Sequence, residues 1–204
     1  MEITKKEELR IELNEITRIF MSAKYLSEDF VSIYKVGNEY PETYNNFHFF
    51  INRMWFAVTV NLILDLSKLF DTREKYSLGR LFNKMTQNYN KSEFNNSFPE
   101  KNFLELKESI NDKGVIISLN KIKTLRDTYY AHLDRTRPNI KEISVNAVEI
   151  KVLINTAEKI LQTLESGIFG IATGYDLSDA ELGYDIFRRV DEWEKYYLEY
   201  GFLE

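Results

Sequence analysis

Two side chains in the segment Lys121–Arg137, KIKTLRDTYYAHLDRTR, have the types needed to break a phosphodiester: Arg126 and His132. A histidine, with an unperturbed pKa of about 6.5, takes or gives a proton near neutral pH. An arginine stays charged and offers a fork of donors matched to phosphate, so it can stabilise the extra charge of a phosphorane-like transition state. The pair suits cleavage of RNA by internal attack of the 2′-hydroxyl. Tyr129 and Tyr130 can donate hydrogen bonds or stack on a base. Lys121, Lys123, Arg135 and Arg137 can hold the backbone. The segment has five basic and two acidic residues, while the whole chain carries −5. A field of that overall sign repels nucleic acid, so any binding must use a local patch of this kind.

On a helical wheel, Ile122, Leu125, Tyr129 and Leu133 form one apolar stripe. Arg126 falls on one shoulder and His132 on the other, about 120° apart and about 9 Å apart along the axis. Long side chains can converge on one phosphate from there, and a two-fold pairing of helices would double the set. Other readings stay open. Arg126 can ion-pair with an acidic group on a neighbouring helix, and His132 can be a packing residue. The two tyrosines can pack a core or an interface, and the lysines can form a solvated face. His48, inside an aromatic run, reads as structural. Asp65 and Asp71 read as a polar face and a helix end rather than as metal ligands, because no partner spacing supports a site.

Composition narrows the classes. The chain has 204 residues, no cysteine and two histidines. Disulfides, zinc–thiolate sites and cysteine nucleophiles are therefore excluded, as is a multi-histidine metal site within one chain. No cofactor is expected. The N-terminal residues are charged and lack the apolar core of a signal peptide. The longest strongly apolar, charge-free stretch, Met54 to Leu64, is shorter than the roughly 20 residues a bilayer requires. These features predict a soluble, cytoplasmic protein with no membrane partner.

The elements that must position the pair are helical. With 8 Gly and 3 Pro, breakers are scarce. Residues 4 to about 34 predict a helix, with Leu9, Leu13, Ile16, Phe20 and Ala23 on one face and Gly37 and Pro41 ending it. Phe47 to Phe70 predicts a second helix, apolar nearly all round and so expected at the buried centre of a bundle. Asp71 ends it, and Ser77 caps a short helix. Residues 84–99 predict a loop, about 100–111 a short helix broken around Gly114, and 116–134 the third long helix. Ser144 is expected to cap a fourth, running to about Ile168 with Leu153, Ala157, Ile160 and Leu164 in the core. Gly167, Gly170 and Gly174 predict a hinge. Ser178 with Glu181 is a capping-box pattern for a last amphipathic helix burying Leu182, Ile186, Val190, Trp193 and Tyr197. The fold class is all-α: an up-and-down antiparallel four-helix bundle over 1–170, with a hinge and an extra C-terminal helix over 171–204.

Arg126-Asp127-Thr128-Tyr129-Tyr130-Ala131-His132 resembles the Arg-(four to six residues)-His motif of HEPN domains, including the polar residue after the arginine and the Ala-His ending. Upstream, LILDLSKLFD (Leu62–Asp71) followed by Ser77-Leu78-Gly79-Arg80-Leu81 resembles the abortive-infection U-type branch. The resemblance covers roughly residues 5–168. It implies a helical bundle that dimerises, with Arg126 and His132 catalytic and Asp127 supporting them at a metal-independent endoribonuclease site between subunits. It also implies a phage-defence or toxin–antitoxin setting, with RNA as substrate and an antitoxin or other protein as a possible partner. Some relatives are non-catalytic modules that bind RNA, nucleotide or protein.

Overall fold

The computed structural model describes residues 5–88, 98–127 and 144–175. Among these residues the chain is all-helical, with no strand. The helices are α1 (Lys5–Glu39), α2 (Pro41–Phe70), α3 (Leu78–Asn88), α4 (Glu100–Ile110), α5 (Lys113–Leu125) and α6 (Ala147–Leu164). A π-helical turn, Glu165–Phe169, continues α6. The predicted C-terminal helix, the loop 135–143 and residues 128–134 of the predicted third helix lie outside the described residues.

The α1 stripe from Leu9 to Ala23 is buried, as is the Leu153–Leu164 stripe of α6. Helix α1 runs antiparallel to both α2 and α6. Against α2, Ser22 donates to Asp65 (2.6 Å) and the Phe30 ring meets Trp55 at 5.9 Å. Against α6, Thr17 donates to Glu165 (3.4 Å) and Lys24 pairs with Glu158 (3.0 Å). Helix α5 packs on α6 and α2, so α1, α2, α5 and α6 each touch two of the others around one shared core. Helices α3 and α4 close the core where the Phe82 and Phe103 rings meet at a tilt, 5.3 Å apart.

Several local expectations shift. Gly37 does not end α1, which continues to Glu39. One glycine costs a helix only about 1 kcal/mol. Pro41 opens α2 instead of terminating α1, because at the first helical position its missing N–H has no partner to lose. The expected start of the second helix, Phe47, survives only as a kink with φ −115° and ψ 16°. Helix α3 reaches Asn88, into the predicted loop. The break before α5 falls at Asn111–Asp112, and Asp112 caps α5 by accepting from the Gly114 N–H (2.8 Å).

The cap of α6 is Asn146, not Ser144. Asn146 accepts from the Glu149 N–H (2.9 Å) while Glu149 accepts from the Asn146 N–H (3.0 Å), a reciprocal box that Ser144 is too far upstream to make. Gly167 is a close-packing position rather than a hinge, because a Cβ there would lie 2.2 Å from the Phe98 ring. Gly170, at φ +68°, caps the π-helical turn in the left-handed region.

The largest departure concerns α2. Its second half is core, with Leu62, Ile63, Leu66 and Leu69 buried. Its first half is only partly so: Ile51 is buried against Ile33 and Val36 of α1, but Phe47, Phe49, Phe50 and Phe56 are each exposed by 46–63%. By length and composition α2 is the one helix among the described residues that could cross a bilayer. Here its second half is instead committed to the core, and Asp65 on it is bonded by Ser22.

Candidate functional site

Arg126 follows directly on α5 with helical backbone angles (φ −57°, ψ −54°). The α5 stripe Val115, Ser118, Ile122 and Leu125 is buried, which turns the next residue along the edge of that face toward α2. Its side chain is 15% exposed. Nη1 donates to Ser67 Oγ (2.6 Å) and to Asp71 Oδ2 (3.1 Å), both at the C-terminal end of α2. Nε donates to Asp127 Oδ1 (2.7 Å). A guanidinium has five N–H donors. Three are thereby used, and among the described residues nothing takes the two on Nη2.

Asp71 is the hub of this arrangement. It caps the C-terminus of α2, and its Oδ1 accepts the backbone N–H of Arg73 (3.0 Å). The Arg73 guanidinium grips the same carboxylate, with Nη2 to Oδ2 at 2.7 Å. One carboxylate oxygen thus lies between two guanidinium groups. The Arg73 side chain, then its backbone N–H and Arg126, hold the Asp71 carboxyl well below the usual carboxylate range, against the opposing effect of burial. Asp127 is likewise lowered, chiefly by Arg126, and Arg126 is raised in turn.

A folded-state pKa below the unfolded value gives stability that is complete above the ordinary carboxylate range. That stability is lost as pH falls through and below about 4. Asp71→Asn should therefore flatten the acid limb of the stability curve. The measurement is the urea midpoint followed from pH 5 to pH 2.5, where the wild type loses more than the variant.

These groups border an open cavity of about 380 Å³ lined by Ser67, Asp71, Thr72, Arg73, Lys123 and Arg126 among others. Of the remaining predicted site residues, Lys123 lines this cavity. Lys121 does not. It is ion-paired with Glu149, the same carboxylate that completes the α6 cap, so it is committed to joining α5 to α6. His132, Tyr129, Tyr130, Arg135 and Arg137 lie outside the described residues. His48 sits exposed on α2 and bonds the Asn45 carbonyl (2.9 Å). Among the described residues no three His, Asp or Glu side chains group as a metal set would.

Sequence reasoning missed Ser67 and Asp71 as partners of Arg126, and Arg73 as a second partner of Asp71. The first two lie in LILDLSKLFD, the stretch that carried the resemblance, but a pairing across 55 to 59 residues leaves no local pattern.

The described residues form an all-helical domain with an arginine held at the seam of its second and fifth helices. The family described as AbiU2, a HEPN family, matches residues 45–187, and the chain belongs to it. The match starts near the α2 kink rather than in α1. It runs past residue 170 into the segment that the sequence reading set apart as hinge and extra helix. No curated protein and no solved structure matches the chain.

Proposed function

We propose that this protein is a metal-independent endoribonuclease of a phage-defence (abortive-infection) or toxin–antitoxin system, acting in the cytoplasm as a homodimer. Its bundle would be up-and-down, with the Arg-x5-His residues meeting near the subunit interface. The observation that carries the reading is the posture of Arg126. Three anchors fix its guanidinium at a cavity mouth and leave the Nη2 edge for a phosphate. Holding a charge donor before the reaction is what makes it worth more to the transition state than to the ground state.

In the reaction, His132 takes the proton from the 2′-hydroxyl, whose oxygen bonds to phosphorus. Nη2 of Arg126 steadies the phosphorane charge, and the 5′-oxygen leaves as its bond to phosphorus breaks, taking the proton back from His132. The products carry a 2′,3′-cyclic phosphate and a 5′-hydroxyl. Wild type should cut labelled total RNA in EDTA, and His132→Ala should not, with its circular dichroism spectrum unchanged. Equal cutting by the two proteins would remove His132 from the mechanism.

A second reading has its own support. Two carboxylates, Asp71 and Asp127, already compensate Arg126. A non-catalytic module that binds RNA, nucleotide or a partner protein would have that arrangement. It predicts salt-dependent binding with no turnover by either protein.

A further inference from the structure

The motif Ser77-Leu78-Gly79-Arg80-Leu81 has, so far, no functional role. Four of its residues are explained by packing. Ser77 Oγ accepts the Arg80 N–H (3.1 Å) and caps α3, while Leu78 and Leu81 are wholly buried. Gly79 is where the loop 71–77 crosses α3, since a Cβ there would lie 2.7 Å from Thr72 Cγ2 and 3.2 Å from the Phe70 carbonyl. That leaves Arg80, which is exposed and has no carboxylate partner among the described residues. It borders a second open cavity, of about 480 Å³, with Lys75, Tyr76 and Lys84, opposite Glu8 and Glu12.

The two cavities are bordered by near neighbours on the loop. Arg73 lines the first and Lys75 the second. Two residues apart, their Cα atoms are within about 7 Å of each other. The loop is pinned at one end by Asp71 and at the other by Ser77 and Gly79. Together the cavities carry six cations, Lys123, Arg126, Arg73, Lys75, Arg80 and Lys84, against three carboxylates, Asp71, Glu8 and Glu12. The loop itself also carries Glu74, and Arg73 and Arg126 pair with Asp71 and Asp127, so the cations of these cavities without an ion pair among the described residues are Lys123, Lys75 and Arg80, one beside the Arg126 cavity and two along the loop and its end. Glu12 neutralises Lys84 at 2.8 Å, whereas Lys75 sits over the Tyr76 ring at 4.8 Å and has no such ion pair. The Lys75 ammonium covers that ring, which also packs on the core, so what this position offers an incoming strand is its charge.

We propose that single-stranded RNA runs from the Arg126 cavity along the loop 71–77 to Arg80, and that Lys75 and Arg80 hold its phosphates beyond the scissile bond. The inference rests on the RNA reading above, but not on catalysis. It also moves the backbone contacts from Lys121, which is already paired, to a surface on the other side of the Arg126 cavity.

The test uses a fluorescein-labelled, mixed-sequence 2′-O-methyl oligoribonucleotide, which lacks the nucleophile and so cannot be cut. Anisotropy is read across a KCl series for the full chain. Lys75→Ala/Arg80→Ala should bind roughly tenfold or more weakly, with a salt slope reduced by about 1.4, as expected for two phosphate contacts on a single strand. Lys101→Ala/Lys159→Ala makes the same change in net charge at exposed lysines lining neither cavity, and should bind like wild type. Equal affinity and slope for the Lys75/Arg80 variant and wild type would overturn the proposal. So would absence of binding by wild type at low salt, or an equal loss in the Lys101/Lys159 control. Binding that depends on Lys75 and Arg80 without any cleavage of natural RNA would sustain the proposal and remove only the ribonuclease. Cleavage with unaltered binding by the Lys75/Arg80 variant would do the reverse.

Discussion

Arg126→Lys should lower RNA cleavage by about a hundredfold or more, the usual cost of losing one fixed donor at a developing charge. Its melting temperature should fall by only a few degrees. The two halves of this expectation have different origins. In the wild type, one planar group bonds Ser67, Asp71 and Asp127 and, among the described residues, still has Nη2 to offer. A lysine has three donors around a point charge and no second edge, so whatever holds it in place also uses it up. Stability depends on something else. Without the guanidinium, Asp71 remains bonded to Arg73, and the main loss is the partly buried bond to Ser67. Such a bond contributes about 1 kcal/mol. For a domain of this size that is roughly 2–4 °C. Single-turnover cleavage and a thermal melt on the same preparation separate the two effects. A variant that retained more than a tenth of the wild-type rate would show that positive charge, not the fork, is what the reaction uses.

The local features of this fold were legible where one segment decides its own structure. The α1 and α6 stripes, the stop at Asp71 and the cap at Ser77 all depend on residues within a turn or two of each other. The shoulder position of Arg126 was legible for the same reason, since helical spacing alone puts it at the edge of the Ile122–Leu125 stripe. What surrounds that position was not. Ser67 and Asp71 reach Arg126 only because α2 and α5 pack side by side, and the same packing gives Lys121 to Glu149. Gly167 was misread because its small size serves Phe98, a residue 69 positions earlier, and not its own backbone. A resemblance helped where periodicity could not. LILDLSKLFD singled out the stretch containing Ser67 and Asp71 before any geometry gave them a task.

Two phenylalanines should behave in opposite ways. Phe20→Ala should cost about 3–5 kcal/mol, whereas Phe56→Ala should cost no more than about 0.5 kcal/mol. Hydropathy treats them alike, since each lies in a long helix with an apolar repeat. Burial separates them: Phe20 is 0% exposed and Phe56 60%. The Phe20 ring meets Tyr175 edge-on at 5.1 Å, and Lys24, one turn along α1, bonds the Tyr175 carbonyl. Removing the Phe20 ring therefore opens a cavity in the shared core and loosens the segment that follows α6. Cutting back Phe56 removes far less buried surface, because water already covers most of that ring. Chemical denaturation of both variants measures the difference directly, and a melting-temperature gap of roughly 10 °C or more is expected. A Phe56→Ala penalty approaching that of Phe20→Ala would mean that the first half of α2 is covered in solution. The helix would then be buried along its whole length, as its composition alone suggested.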